Sequence, residues 1–201
     1  VVMDCQTGEL LAVADVEREP TGIQPRLRRN RCVTDPYEPG STFKPFVWAA
    51  ATEAGLATPD ETLPTPSNGP HRTSFGRSIR DAHYHGPTTW RMVLVKSLNS
   101  GMAIVAERMK RDDLRSLVAQ LGFGQSTNCG IPGETGGIVT SERNWSSYTQ
   151  TSVAMGHEIA VTPVQMAQAF CVFARDGRMP AATLHARNGP RPIVPTYVFT
   201  P

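Results

Sequence analysis

A serine and a lysine three residues apart, Ser41 and Lys44, follow the turn-forming pair Pro39-Gly40. The apolar residues after the serine recur with the spacing of one helix face, so we predict a helix that begins near Ser41 and ends at Gly55. Residues three apart lie on the same side of a helix, which lets the lysine amine reach the serine oxygen. A serine hydroxyl becomes a strong nucleophile only when a base removes its proton. The pattern therefore indicates a nucleophile, Ser41, beside its base, Lys44.

Lys44 can act as a base only if its pKa lies well below the usual value of about 10.4. Burial among apolar neighbours and the positive end of a helix dipole both disfavour the ammonium form, and both lower the pKa. The short motif has a second interpretation, because Ser-x-x-Lys is built from common residues: a helix N-cap at Ser41 followed by a solvated lysine. The other polar motifs of the chain bear on this choice.

A second polar motif, Ser97-Leu98-Asn99, falls at a break between two helical patterns. The first pattern covers residues 90–94 after a candidate cap at Thr88-Thr89, and the second covers residues 102–109. Short polar side chains at such a break can cap the second helix, or they can line a site together with Ser41. Both interpretations follow from the same spacing.

The remaining elements frame these two motifs. Residues 1–5 and 10–16 are joined by a turn and alternate like a β-hairpin. The other predictions are, in chain order, a long loop over residues 56–85 with a short strand at 79–81, a helix from Asp112 or Asp113 to a stop at Gly122, a Gly-rich loop over 124–144, a helix opened by the capping box Thr162-Pro163-Val164-Gln165 and stopped near Gly177, and a tail over 179–201 without a clear helix.

Length and charge narrow the classes of function. The 201 residues suggest about one domain, and they carry a net charge of +2 with no basic run interleaved with aromatic residues. We therefore predict no nucleic-acid surface and interpret the arginine-rich cluster 26–31 as a solvated loop. The longest apolar run, residues 46–51, is far too short for a membrane helix, and no signal peptide is visible at Val1. An anchor upstream of Val1 remains open.

The cysteines and histidines offer weaker candidates. Asp81, His83 and His85 alternate as metal ligands could, but no third converging ligand set accompanies them, so we predict no metal site. His157, which is followed by Glu158, could be the base of a Ser/His site, but we do not favour this interpretation. The four cysteines contain no C-x-x-C pair and allow three disulfide pairings, of which none is preferred over buried free thiols. The cysteines are Cys5, Cys32, Cys129 and Cys171, and the tryptophans predicted as core or groove lining are Trp48, Trp90 and Trp145.

Several short segments share an order along the chain that belongs to one family. They are Met3-Asp4 with Thr7-Gly8-Glu9-Leu10-Leu11-Ala12, Arg29-Asn30-Arg31-Cys32-Val33-Thr34, Tyr37-Glu38-Pro39-Gly40-Ser41-Thr42-Phe43-Lys44-Pro45, Ser97-Leu98-Asn99, Leu121-Gly122-Phe123-Gly124 with Pro132-Gly133-Glu134-Thr135-Gly136-Gly137, and Met155-Gly156-His157 with Val161-Thr162-Pro163-Val164-Gln165. They resemble the transpeptidase domain of class B, monofunctional-type penicillin-binding proteins. The resemblance implies an α/β (α+β) fold of the penicillin-binding protein/β-lactamase type, an antiparallel sheet with flanking helices.

The resemblance also implies an activity, that of a serine D,D-transpeptidase that cross-links peptidoglycan stem peptides. Ser41 would attack the carbonyl between two terminal D-alanines, and Lys44 would take its proton. Ser97 would relay a proton to the leaving amine, while Asn99 would hydrogen-bond Lys44 and the substrate amide. Ser41, Ser97 and Asn99 would thus also bind substrate, and β-lactams would acylate the same serine. No cofactor is implied.

A cellular setting comes with the resemblance. The complete protein would be anchored in the cell membrane, would act on its extracytoplasmic (periplasmic) face, and would serve a division or elongation complex. Neither the stem peptide used nor the choice between division and elongation follows from the residues. The resemblance is silent on a further glycosyltransferase domain.

One expected motif is missing from the 201 residues, namely Lys-Thr-Gly or a close variant. In the family it lies on the strand that borders the site and supplies one oxyanion donor, the other being the Ser41 N–H. We therefore expect residues 1–201 to be a partial transpeptidase domain that lacks its closing strands, with little or no acylation of its own. Two other classes stay open: a class D-like β-lactamase or β-lactam sensor, and a non-catalytic fragment.

Overall fold

The computed structural model describes residues 1–16, 29–184 and 196–200. Residues 26–28 of the predicted arginine-rich loop and residues 185–195 of the predicted tail lie outside the described residues. In chain order the elements are β1 (Val2–Met3), β2 (Leu10–Ala12), α1 (Arg31–Thr34), a 3-10 helix (Gly40–Phe43), α2 (Lys44–Glu53), β3 (Thr62–Leu63), β4 (His71–Arg72), β5 (Ser78–Ile79), β6 (Thr88–Thr89), α3 (Trp90–Val95), α4 (Asn99–Ala106), α5 (Arg111–Gln120), β7 (Ile138–Val139), a 3-10 helix (Glu142–Asn144), α6 (Ser147–Ala154), β8 (Ile159–Ala160), α7 (Pro163–Phe170), a 3-10 helix (Cys171–Ala174), β9 (Arg178–Met179) and β10 (Thr196–Tyr197).

The chain divides into two compact units, each made of separate stretches of sequence. The first unit comprises Val1–Tyr37, Gln120–Ile138 and Val161–Pro201, and the second comprises Glu38–Ala119 and Val139–Ala160. Four pairs of strands form antiparallel ladders: β1 with β2, β3 with β6, β4 with β5, and β9 with β10. The assignment of residues 1–201 to a single domain stays a prediction.

The first unit has its core where the β1–β2 hairpin and α1 pack against α7. This helix begins with the predicted capping box: Thr162 Oγ1 accepts the Gln165 N–H at 3.2 Å, and Gln165 Oε1 accepts the Thr162 N–H at 2.8 Å. Two otherwise unpaired backbone donors are satisfied in this way, so the start of α7 is firmly set. The buried cluster beneath it consists of Leu10, Cys32, Val33, Cys129, Val164 and Ala182.

The second unit is built around α2, whose fully buried face includes Phe46 and Val47. Trp48 of this helix stacks on Trp90 of α3, with ring centroids 5.9 Å apart and ring planes inclined by 17°. Each indole N–H also has an acceptor: Trp48 Nε1 donates to the Trp90 carbonyl and Trp90 Nε1 donates to Thr52 Oγ1, both at 2.9 Å. Satisfied donors on a stacked pair hold α2 and α3 in one arrangement.

Helix α6 packs against α4 and buries several polar side chains. Its buried residues include Thr149, Gln150, Thr151 and Ser152. The Gln150 side chain accepts a hydrogen bond from Trp145 Nε1 at 2.8 Å and donates to the carbonyl oxygens of residues 106 and 109 at 3.4 Å each. Hydrogen bonds therefore replace part of the apolar packing that usually joins two helices.

The predicted elements and the observed ones differ in several places. Helix α6 was not expected, because its buried face is polar and its sequence has no apolar stripe. The predicted long loop over residues 56–85 contains β3, β4 and β5. The predicted helix after Thr162 ends at Phe170 and continues as a 3-10 helix to Ala174.

The state of the cysteines and the lengths of the helices bear on two further predictions. Cys5, Cys32, Cys129 and Cys171 are free thiols, the last three of them buried. The longest helices of the described ranges, α2 and α5, have 10 residues each. Because a bilayer core needs about 20 residues of helix, none of the described helices could cross a membrane.

Candidate active site

Ser41 lies on the 3-10 helix that leads directly into α2, and its side chain is exposed. Pro45 follows at the start of α2, where the missing N–H removes no intrahelical bond. Phe43 and Phe46 are fully buried and pack edge to face, with ring centroids 5.7 Å apart. The two rings fix the turn that presents Ser41.

Two glycines hold the turn in front of Ser41. Gly40 has φ +55° and its N–H donates to the carbonyl of Gly156 at 2.9 Å. Gly156 has φ +81°, and a Cβ atom built on it would lie 2.0 Å from the Gly40 carbonyl oxygen. Only glycine tolerates both this backbone conformation and this approach. The segment Met155-Gly156-His157 thus sets the position of the turn.

A carboxylate makes a second connection between the same two segments. Glu38 Oε1 accepts the Glu158 N–H at 2.8 Å, and Glu38 Oε2 lies 3.2 Å from His157 Nδ1. The hydrogen bond from the Glu158 N–H, and after it the contact with His157, lowers the pKa of Glu38. His157 is therefore a neighbour of Glu38, and it makes no hydrogen bond to Ser41 within the described residues.

Lys44 is the first residue of α2, and its side chain is buried, with 1% of the residue exposed. Its Nζ donates to the carbonyl oxygen of Ser97 and to Asn99 Oδ1, both at 2.7 Å. A third contact joins Nζ to Ser97 Oγ at 3.2 Å. The predicted triplet therefore surrounds the predicted base, as a shared site requires. In the described part of the chain Lys44 donates to this triplet and not to Ser41.

The hydrogen-bond partners of Lys44 determine where its proton can go. The Ser97 carbonyl and Asn99 Oδ1 are pure acceptors, so they must receive two N–H bonds from either form of the amine. The neutral amine has only two N–H groups, so these two acceptors use both of them and leave its lone pair to accept a proton. Ser97 Oγ accepts from the ammonium form and donates to the neutral form. The Ser97 hydroxyl is thus close enough to exchange a proton with Lys44.

The environment of Lys44 favours the neutral amine. Burial lowers the pKa of Lys44 to about 8, and the charge of Asp81 opposes this shift. A lysine with a pKa near 8 is partly deprotonated at neutral pH, whereas an ordinary lysine is not. Because Lys44 is buried, its interpretation as a solvated lysine is wrong.

The backbone at the helix break places Ser97 and Asn99. Ser97 has φ +55°, a left-handed conformation that is uncommon for a residue other than glycine. It ends the turn after α3, and Asn99 begins α4 two residues later. Asn99 Nδ2 donates to the carbonyl of Arg80 at 2.9 Å, so the amide oxygen is directed at Lys44. The break between the helices is thus the feature that brings both side chains to the amine.

Asp81 belongs to this site but was predicted only as a weak metal candidate. It is buried, and its carboxylate accepts the N–H of Ser100 at 2.9 Å and the Ser100 hydroxyl. No group of His, Cys, Asp and Glu side chains in the described residues could hold a metal ion. Local sequence gave no signal for this role, because Asp81 and Ser100 are 19 positions apart.

Comparisons with known proteins identify similar sequences in one family. A family model described as the penicillin binding protein transpeptidase domain matches residues 1–187. Over 182 residues the chain is 34% identical to the probable peptidoglycan D,D-transpeptidase PenA of Neisseria gonorrhoeae, covering 88% of this chain and 30% of that protein. It is 32% identical over 181 residues to the peptidoglycan D,D-transpeptidase FtsI of Escherichia coli (strain K12), covering 88% of this chain and 30% of that protein. The chain thus spans less than a third of the length of these relatives.

A solved structure matches the fold. The apo structure of the TP domain from Burkholderia pseudomallei penicillin-binding protein 3 superimposes with a TM-score of 0.85 at 30% sequence identity. The match covers 98% of this chain and 56% of that chain. The predicted fold class is confirmed by this similarity.

Proposed function

Because this chain belongs to the penicillin-binding protein transpeptidase family, we propose that it carries the acylation site of a peptidoglycan D,D-transpeptidase. The observation that carries the proposal is the buried Lys44 amine, which is held by Ser97 and Asn99 at the start of the helix that presents Ser41. A buried amine with a lowered pKa beside an exposed serine is the arrangement that serine activation needs.

In the proposed reaction, Ser41 Oγ attacks the carbonyl carbon between the two terminal D-alanines of a stem peptide. The neutral amine of Lys44 takes the serine proton, and the developing oxyanion is stabilised by the Ser41 N–H. The carbon–nitrogen bond then breaks, and D-alanine leaves after its amine receives a proton. An amine of a second stem peptide attacks the acyl-enzyme, forms the new amide and returns the proton to Ser41.

Ser97 and Asn99 have separate roles in this proposal. The Ser97 hydroxyl, 3.2 Å from Lys44 Nζ, passes the proton from the ammonium to the leaving amine. Asn99 holds Lys44 in place through its amide oxygen and contacts the substrate amide. The same serine would accept an acyl group from a β-lactam, whose strained amide resembles the D-alanyl bond.

The setting follows from the relatives and is also part of the proposal. PenA and FtsI are named peptidoglycan D,D-transpeptidases, so we place the substrate, peptidoglycan stem peptides, outside the cytoplasmic membrane. Anchoring in that membrane and service in a division or elongation complex are proposed from the family resemblance alone.

Covalent labelling of Ser41 tests the proposal. A fluorescent penicillin should label the full-length protein on the peptide that contains Ser41, and Ser41→Ala should abolish the label. Ser141→Ala is a matched control, because this exposed serine makes no side-chain cap hydrogen bond. Undiminished labelling of Ser41→Ala, read by gel and peptide mapping, would assign the nucleophile elsewhere. Rapid turnover of the bound penicillin would point to a β-lactamase.

A second experiment tests the base. Lys44→Arg should slow acylation far more than it weakens the initial binding of the β-lactam, because a guanidinium with a pKa above about 12 keeps its proton. Lys110→Arg, at an exposed lysine of the same unit, serves as the control. The acylation rate constant and the dissociation constant of the initial complex are measured separately, with a melting curve for each variant. Equal acylation rates in a folded Lys44→Arg protein would remove Lys44 from the role of base.

A further inference from the structure

Asp81 is a buried carboxylate with both oxygens engaged by a single residue. Its relative exposure is 8%, and its two oxygens accept the backbone N–H and the side-chain hydroxyl of Ser100. Ser100 is the second residue of α4 and directly follows Asn99. Asp81 therefore lies at the N-terminal end of this eight-residue helix, where a negative charge is favoured.

The residue before Asp81 binds the residue before Ser100. The carbonyl of Arg80 accepts Asn99 Nδ2 at 2.9 Å. Two consecutive residues after β5 thus hold two consecutive residues at the start of α4. Ile79 at the end of β5 is 4% exposed, so this segment is itself anchored in the core. The connection fixes both the position and the rotation of the Asn99 side chain, whose oxygen binds Lys44.

Asp81 also acts on Lys44 through its charge. In the described part of the chain it is the charged group that acts on the Lys44 amine. Its negative charge favours the ammonium form, whereas burial favours the neutral amine. The two effects oppose each other, so the carboxylate limits how far burial lowers the pKa of Lys44.

We propose that Asp81 is a positioning residue of the acylation site, which orients Ser97-Leu98-Asn99 through its hydrogen bonds to Ser100. The inference rests on the proposed function, because it takes Lys44 as the group that activates Ser41. It assigns to Asp81 two separable effects: one on geometry, through hydrogen bonds, and one on protonation, through charge.

Two substitutions separate these effects. Asp81→Asn keeps the shape and an acceptor for the Ser100 N–H, and its NH₂ group can donate to the Ser100 hydroxyl, but it removes the charge. Ser100→Ala keeps the charge and removes one of the two hydrogen bonds. Glu107→Gln is the matched control, because Glu107 accepts the N–H and the hydroxyl of Ser74 in the same manner but does not act on Lys44.

The measurement is the second-order rate constant of acylation by a β-lactam between pH 5.5 and 10, in the full-length protein. In the parent protein the rate should rise with pH through a midpoint near 8. Asp81→Asn should move this midpoint to lower pH by about one unit or more, the usual effect of removing a nearby opposite charge, with the high-pH plateau kept. Ser100→Ala should lower the plateau roughly tenfold at an unchanged midpoint, because the triplet loses its alignment. Glu107→Gln should change neither quantity.

The outcomes distinguish a failure of this inference from a failure of the proposed function on which it rests. A parent protein that is not acylated, or is acylated independently of pH, contradicts the role of Lys44. A parent with the expected profile whose Asp81→Asn variant has the same midpoint overturns the inference and leaves the function intact. If Asp81→Asn does not fold, as shown by its melting curve, Ser100→Ala decides alone: an unchanged plateau then refutes the positioning role.

Discussion

The contact between Gly156 and Gly40 allows a sharp test of how the site is held. Replacing Gly156 by alanine places a Cβ atom 2.0 Å from the Gly40 carbonyl oxygen and 2.7 Å from the Gly40 nitrogen. Contacts of this kind below 3.0 Å do not occur in folded proteins, so one backbone segment must move by about 1 Å. We expect the Gly40 segment to move, and Ser41 would move with it because the two residues are immediate neighbours.

The expected magnitude has two parts. The left-handed conformation of Gly156, with φ +81°, costs alanine about 1 kcal/mol at any such site. The clash adds to this cost, and overpacking of this kind is typically about 1–3 kcal/mol. We therefore expect Gly156→Ala to lower the free energy of unfolding by about 2–4 kcal/mol. A displacement of about 1 Å at Ser41 should reduce the acylation rate by roughly 10²-fold.

Gly55→Ala measures the cost of the left-handed backbone conformation without the clash that Gly156→Ala adds. Gly55 also has a positive φ, +68°, but a Cβ atom there would meet nothing within 4 Å. It should therefore cost about 1 kcal/mol and leave acylation unchanged. Chemical denaturation and β-lactam acylation of both variants provide the comparison. Equal stability losses with equal acylation rates would show that the approach of Gly156 to Gly40 does not position the nucleophile.

Three shorter predictions concern other parts of the chain. Gly101→Ala should destabilise the protein by about 1–3 kcal/mol, because its Cβ would lie 2.3 Å from a methyl group of Val93, and adding Val93→Ala should restore part of the loss in denaturation experiments. Cys171 should resist iodoacetamide at pH 8 until the protein unfolds, since burial raises the pKa of its thiol to about 12; mass spectrometry showing alkylation of native protein would contradict this. Glu38→Gln should lower the free energy of unfolding at pH 7 only slightly, by less than about 1 kcal/mol, because the side chains of His157 and Glu38 are half exposed. The folded-state pKa of Glu38 is lowered, so its contribution is present above the unfolded pKa and is lost as pH falls through the folded value; the difference should vanish once the carboxyl is protonated in the folded state as well, and a difference that stays constant in acid would refute the prediction.

Local signals were enough to predict the parts of the site that are close in sequence. The Ser41–Lys44 spacing and the apolar face after it predict the turn into α2, and the cap before residue 90 is present, with Thr89 accepting the Met92 N–H. The break that contains Ser97 was predicted for the same reason. Residues three or four apart face the same neighbours on a helix, so such patterns are visible without a structure.

Contacts between distant residues could not be predicted in this way. Asp81 binds Ser100 across 19 positions, and Gly156 meets Gly40 across more than a hundred. Nothing in either segment specifies its partner, because only the folded chain brings them together. The direction of the Lys44 amine is a similar case. Its donors are taken by Ser97 and Asn99, two acceptors that spacing on one helix does not reveal.

The polar interface between α4 and α6 has a consequence for temperature. Burial of apolar surface gives folding its large heat-capacity change, and burial of polar groups works in the opposite direction. Because α6 buries the polar side chains Thr149, Gln150, Thr151 and Ser152, its opening should have a small heat-capacity change. Apolar contacts weaken on cooling, whereas this interface should keep its strength. Amide hydrogen exchange in α6 should accordingly depend less on temperature than exchange in α7. Helix α6, which packs against α4, would then stay closed in the cold.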